Sequence, residues 1–191
     1  MWPIGHAAVA YLIFSLYNRI RNRSDPSEAT AAIVAVASQG PDLVDKPLAW
    51  RLGVLASGRS LSHSLFVLAP VAWGGYALAR RIGRPDIGRA LVVGTLTHTL
   101  VDALPAVCGK ADARFLAWPL TRVPVGKSGH PTISGLLRRS LRDPEFYAEF
   151  LLAGLAALAW WRDGAPGVER LTEHRCARNI ETTWLDRERH E

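Results

Sequence analysis

The sequence predicts an all-α protein, a polytopic membrane bundle of about five apolar helices followed by a polar C-terminal tail. Three observations predict it. Long runs almost free of charge alternate with short segments in which charge is crowded, the pattern left by membrane helices and their loops. Apolar residues make up 49% of the 191, yet charge is not spread along each helix face as a soluble helical domain would spread it. Trp2, Trp160 and Trp161 stand at the ends of apolar runs, where interfacial anchors belong.

The runs can be taken in order. Residues 3–17 have no basic residue before them and Arg19, Arg21 and Arg23 after them. That is the reverse of a secretory leader, so the run is expected to be a retained helix with its N-terminus outside. Residues 28–39 are about a dozen and rich in Ala, which suits a half-span, a re-entrant piece or a core helix shielded by its neighbours. Residues 61–79 and 88–107, about 19 and 20 long, are sufficient for a hydrocarbon core of about 30 Å. Residues 146–161 form a shorter fifth run. The Arg-rich connections 18–27 and 80–89 are expected on the cytoplasmic side, and 40–60 and 108–145 on the other, although the last also carries seven Lys or Arg. This gives a membrane-embedded domain over 1–162 and a tail over 163–191, a short helix or partly disordered.

The net charge of +6 lies beside the apolar runs and is accounted for by topology and by contact with the lipid bilayer. Aromatic and basic residues do not interleave as in single-strand binders, so no nucleic-acid partner is expected. Cys108 and Cys176 have no CxxC partner, which points to neither a zinc ribbon nor a disulfide framework. The GKSG stretch before His130 lacks the first glycine of a phosphate loop, and there is no GxSxG elbow.

The polar residues that remain fall into a pattern. His6 opens the first run, and Asp42 and Asp45, in QGPDLVDK, follow the second. His63, in GRSLSHS, opens the third; His98 and Asp102, in GTLTHTLVDAL, lie in the outer half of the fourth; Glu145 and Glu149 open the fifth. Five segments and four changes of side bring all of them to one face of the membrane. The HxxxD pair is the sharpest signal, because positions i and i+4 share a helix face and can reach one ion. Ionisable groups in an apolar helix are costly unless paired, and they mark function. Blander roles stand beside each: a His–Asp hydrogen bond within the helix, a turn or cap for Asp42 after Gly40 and Pro41, an interfacial cap for His6. Arg59 can meet a phosphate or carboxylate, or snorkel to the interface. Asp45 and Glu149 can ligate a second ion, orient a ligand, or be interfacial charges, and Glu145 is expected to be an interfacial charge. A His and carboxylate set suits zinc best, with one or two ions.

The sequence of signals, GH near the start, then PD, R…HS and HxxxD, with FLAWPL at 115–120, resembles the LexA-regulated, membrane-bound metal-dependent hydrolase family over about residues 1–120. In that family the acidic pair reads PDxD; here the second acid stands one place later, at Asp45. The order is also similar, more distantly, to zinc-dependent phospholipase C, where Asp, His and an HxxxD pair bind a zinc cluster. The resemblance implies His6, Asp42, His63, His98 and Asp102 as ligands. It further implies hydrolysis of an ester or phosphoester of an amphiphilic substrate by a metal-activated water, with Asp42 and His63 at the reacting centre and Arg59 steadying an anionic group. The cell membrane is the expected location, with the site on its extracytoplasmic side. Two rivals remain: a membrane metal or proton transporter using the same His/Asp cluster, in which polar residues would continue to the opposite face, and a soluble phospholipase-like domain.

Overall fold

Five helices form where the five apolar runs lie, and local chemistry sets their ends. The computed structural model describes residues 1–124 and 132–168. His130 and its GKSG stretch, and most of the expected tail, lie outside the described residues. Helix α1 (Pro3–Tyr17) starts with a proline in its first turn, where a missing N–H costs nothing. It runs on into a π-helical turn, Asn18–Asn22, and ends where Arg23 takes a left-handed φ of 50°. Helix α2 (Glu28–Ala37) is capped by Ser27, whose hydroxyl accepts the Thr30 N–H at 3.4 Å.

Residues 40–60 are not the plain connection expected from the sequence. Gly40 and Pro41 end one helix but also begin another, α3 (Gly40–Trp50), which places Asp42 in a first turn. Helix α4 (Leu65–Arg81) is capped by Ser64 and starts four residues later than its apolar run, leaving His63 in the preceding turn. Helix α5 (Pro85–Val107) follows after Gly83, whose φ of 75° makes the tight turn. A 3₁₀ turn (Arg114–Ala117), α6 (Ile133–Ser140) and α7 (Pro144–Arg162) complete the described chain. Among the described residues there is no strand.

Helix α5 is the axis of the bundle. It packs on α4, α2 and α1, and α7 packs on the other side of α1. The core is small: Ala10, Tyr11, Phe14, Ala31, Val34 and Ala90. Gly94 sets the closest approach. A Cβ there would meet the Val34 carbonyl at 2.8 Å and the Ser38 nitrogen at 3.1 Å, so only glycine lets α5 lie against the end of α2. Large apolar side chains such as Leu16, Val71, Trp73, Leu104, Leu151 and Trp161 point outward and are exposed. Apolar surface of that kind calls for a partner or lipid. By length and composition one described helix, α5, can cross a membrane. Helix α4 begins only at Leu65, after the Ser64 cap, so its apolar stretch is shorter than the run of residues 61–79 suggested.

Candidate metal centre

Four buried side chains from two helices and a turn converge at one end of the bundle. Asp42 comes from the first turn of α3, His63 from the turn before α4, and His98 and Asp102 from successive turns of α5. One ligand atom from each lies within 4.8 Å of the others. His63 Nε2 is 3.1 Å from His98 Nε2, 3.6 Å from Asp42 Oδ1 and 3.5 Å from Asp102 Oδ2. His98 Nε2 is 3.8 Å from Asp42 Oδ1 and 3.9 Å from Asp102 Oδ2. A tetrahedral ion with bonds of about 2.0–2.2 Å spaces its donors about 3.3–3.6 Å apart. The spacings from the two histidine nitrogens, 3.1 to 3.9 Å, bracket that range.

The outer partners fix which atoms face inward. His98 Nδ1 lies 2.5 Å from the Ser38 carbonyl, an acceptor only, so this nitrogen carries the proton and donates. His63 Nδ1 donates to Asp45 Oδ2 at 2.8 Å. In the neutral rings both Nε2 atoms therefore present lone pairs to each other and to two carboxylate oxygens. Lys46, one turn after Asp42, pairs with Asp42 Oδ2, and Asp42 Oδ1 is left buried with no hydrogen-bond partner. A proton could serve one of these contacts. A cation at the centre serves all four, and this buried set can hold a metal ion.

Asp45 stands behind His63, not among the four. Its oxygens also accept the Ser60 N–H at 2.8 Å and the Ser62 N–H at 2.9 Å. Burial pushes its carboxyl up, but the hydrogen bonds from His63, Ser60 and Ser62 outweigh burial and hold it below the usual carboxylate range. A carboxylate on the far nitrogen of an imidazole is the arrangement that orients a metal-binding histidine. Arg59 grips Asp102 with two contacts, Nε to Oδ2 at 2.7 Å and Nη2 to Oδ1 at 3.1 Å, while its side chain stays 42% exposed at the mouth.

His6 is the neighbour of the four. Its ring stacks on that of His98, with centroids 4.0 Å apart, and its Nε2 lies 3.4 Å from Asp102 Oδ1. Both its nitrogens are buried without a hydrogen-bond partner. Glu149 lies elsewhere in contact: both its oxygens take the Trp2 N–H, at 3.1 and 2.9 Å, which fastens the start of α1 to α7. Three contributors were not named among the expected site residues. Ser38 acts through its carbonyl, which leaves no trace in residue type. Lys46 was visible as the i+4 partner of Asp42. Phe115, 3% exposed, stands edge-on to His63 with centroids 5.9 Å apart, which gives the FLAWPL stretch a part in walling the site.

The chain matches the model of the YdjM inner membrane protein family over residues 1–164. No curated protein and no solved structure matches it. The match covers most of the chain, His/Asp cluster included, so the chain belongs to the YdjM inner membrane protein family and is a protein of the inner membrane.

Proposed function

We propose that this protein is a polytopic metal-dependent hydrolase, cleaving an ester or phosphoester bond of an amphiphilic substrate at the extracytoplasmic face of the bilayer. The observation that carries this is the convergence of four buried ligand atoms, two imidazole nitrogens and two carboxylate oxygens, within 4.8 Å of one another, with Asp42 Oδ1 left without a hydrogen-bond partner. Such a set suits zinc. When bound, the ion supplies Lewis acidity and a water of lowered pKa.

The chain's own residues account for the rest. Asp42, His63, His98 and Asp102 hold the ion, and Asp45 and the Ser38 carbonyl keep the two rings turned inward. Asp42 and His63 also border the reacting centre. His6 and the second oxygen of Asp102 offer donors for a second ion. Arg59 keeps its other amino group for the anionic part of a substrate, and its exposure at the mouth puts it where a headgroup arrives. The end of the bundle with Arg19, Arg21, Arg80, Arg81 and Arg84 is opposite the cluster, which by the positive-inside rule turns the cluster away from the cytoplasm.

One observation speaks for transport. A second buried polar group, Asp163 with Tyr11 and Arg19, lies toward the arginine-rich end. Directly below His6 on the same face of α1, however, come Ala10 and Phe14, 0% and 1% exposed, packed with Val34 and Ala90. A dry apolar plug separates the two polar groups, and a relay needs polar residues there. This supports the hydrolase.

Metal analysis of detergent-purified protein tests the reading. The wild type should carry a divalent ion, and His98→Ala should lose it together with hydrolysis of model phosphoester and fatty-acyl ester substrates. Full metal retention in His98→Ala sinks the reading. Metal flux in proteoliposomes without hydrolysis would establish the transporter instead.

A further inference from the structure

Away from the His/Asp cluster, a slot of about 490 Å³ opens between α4, α5 and the end of α1. Its walls are Ala69, Ala72, Trp73, Val92, Val93 and Leu96, and its lining is otherwise only Tyr17, Tyr76 and Arg89. These three polar heads share one end. Tyr76 is level with Gly88, where a Cβ would meet the Tyr76 ring at 2.8 Å and its Cα at 3.0 Å, and Arg89 is the next residue. Tyr17 closes α1 one turn beyond Phe14, whose core partner Ala90 adjoins Arg89. The other end is wholly apolar and runs up α5 as far as Leu96.

We propose that this slot binds one acyl chain of an anionic phospholipid of the inner-membrane leaflet facing the arginine-rich end, with its phosphate at Arg89 and the two tyrosine hydroxyls. The length fits. From Arg89 to Leu96 is seven residues, about 10 Å of helix, against about 15 Å for one leaflet's hydrocarbon. The charge fits as well, because a basic pocket between membrane helices selects anionic headgroups. Arg89 has no acidic partner among the described residues, unlike Arg59 with Asp102 and Arg19 with Asp163. Tyrosines at that level behave as interfacial groups, apolar in the ring and hydrogen-bonding at the tip. The family places the chain in lipid, so a lipid is what reaches an open lateral slot. This inference does not depend on the hydrolase reading.

The test uses full-length protein in phosphatidylcholine vesicles doped with phosphatidylglycerol or phosphatidylcholine bearing a photoreactive group in the acyl chain. Phosphatidylglycerol should label α4 and α5 around Ala69, Trp73 and Leu96, roughly fivefold above phosphatidylcholine, the preference one arginine confers at a membrane surface. Arg89→Gln should abolish that preference, and Ala69→Phe, at an exposed position filling the apolar end, should lower labelling by both lipids. Both variants should keep the wild-type metal content. Equal labelling by the two lipids, a preference that survives Arg89→Gln, or labelling unchanged by Ala69→Phe overturns the proposal.

Discussion

At the arginine-rich end of the bundle, Asp163 is buried with its oxygens taken by the Tyr11 hydroxyl at 2.8 Å and the Arg19 guanidinium at 2.5 and 3.2 Å. At the other end, Asp42 Oδ1 and both nitrogens of His6 are buried and take nothing, and two imidazole nitrogens face each other at 3.1 Å. The two clusters are alike in burial and in having a carboxylate at their centre. They differ in donors. Asp163 has a donor for each oxygen, so its cluster is complete and serves to hold α7 to α1. The His/Asp cluster has more acceptors than donors, and a buried surplus of acceptors is a set that a cation can stabilise. Unsatisfied polarity, more than the mere presence of ionisable residues, separates a site from a clasp.

Asp102→Asn strikes this difference hardest. It removes the charge of a proposed ligand, and it deprives Arg59 of its two contacts. Metal content should fall below detection by elemental analysis, a loss of at least about 100-fold in affinity by the scale of metal-site mutations. If metal stays bound at wild-type stoichiometry, the acceptor-surplus account of the cluster fails. Asp45→Asn should act more gently, since it weakens the hold on His63 without touching a donor atom. Affinity should fall by about 10–100-fold in competition with a chelator. An unchanged affinity would mean that His63 is positioned by packing on Phe115 alone.

These two variants also show how far the sequence could be read. Helix α1 and the existence of α2, α5 and α7 were legible because apolar runs with charged flanks mark them, although α2 ends two residues before its run does and α5 begins three residues before its own. The set of His63, His98, Asp102 and Asp42 was legible because isolated ionisable residues stand out against apolar runs. Helix α3 was missed, as Gly40 and Pro41 read equally as a stop and as a start. The division of labour between Asp42 and Asp45 was illegible too. Both face the same region from one helix, three residues apart, and only coordinates tell that Asp45 meets Nδ1 of His63 and Asp42 meets Nε2. Asp163 was overlooked for a different reason: it follows Arg162 at the edge of a charged tail, and nothing local signals that Tyr11, far away in sequence, will bury it.

Gly94→Ala tests whether the bundle itself shapes the site. The added methyl would press on backbone atoms of α2, which cannot swing aside as a side chain can. Helix α5 must then shift, and with it His98, one turn further on and bonded to the Ser38 carbonyl. The expected cost is about 1–3 kcal/mol in stability, as for overpacked cores, with a measurable drop in metal affinity. Stability lost without any change in metal binding would uncouple the α2–α5 contact from the site.

Tyr11→Phe should have the smallest effect and draws the sharpest line between the two clusters. It deletes one hydroxyl and leaves the ring in the core, so no cavity of any size forms. The lost interaction is a hydrogen bond to a carboxylate, worth about 1.5–3 kcal/mol in general. Arg19 remains on the other oxygen of Asp163, so the cost should lie near the lower end, read as a drop in thermal unfolding temperature in detergent. Metal content and chelator competition should stay at wild-type values, because Ala10, Phe14, Val34 and Ala90 lie between this cluster and His6. If Tyr11→Phe instead lowers metal affinity as Asp45→Asn does, the apolar plug does not insulate the two ends. The polar groups along α1 would then act as one connected path, the arrangement a transporter needs.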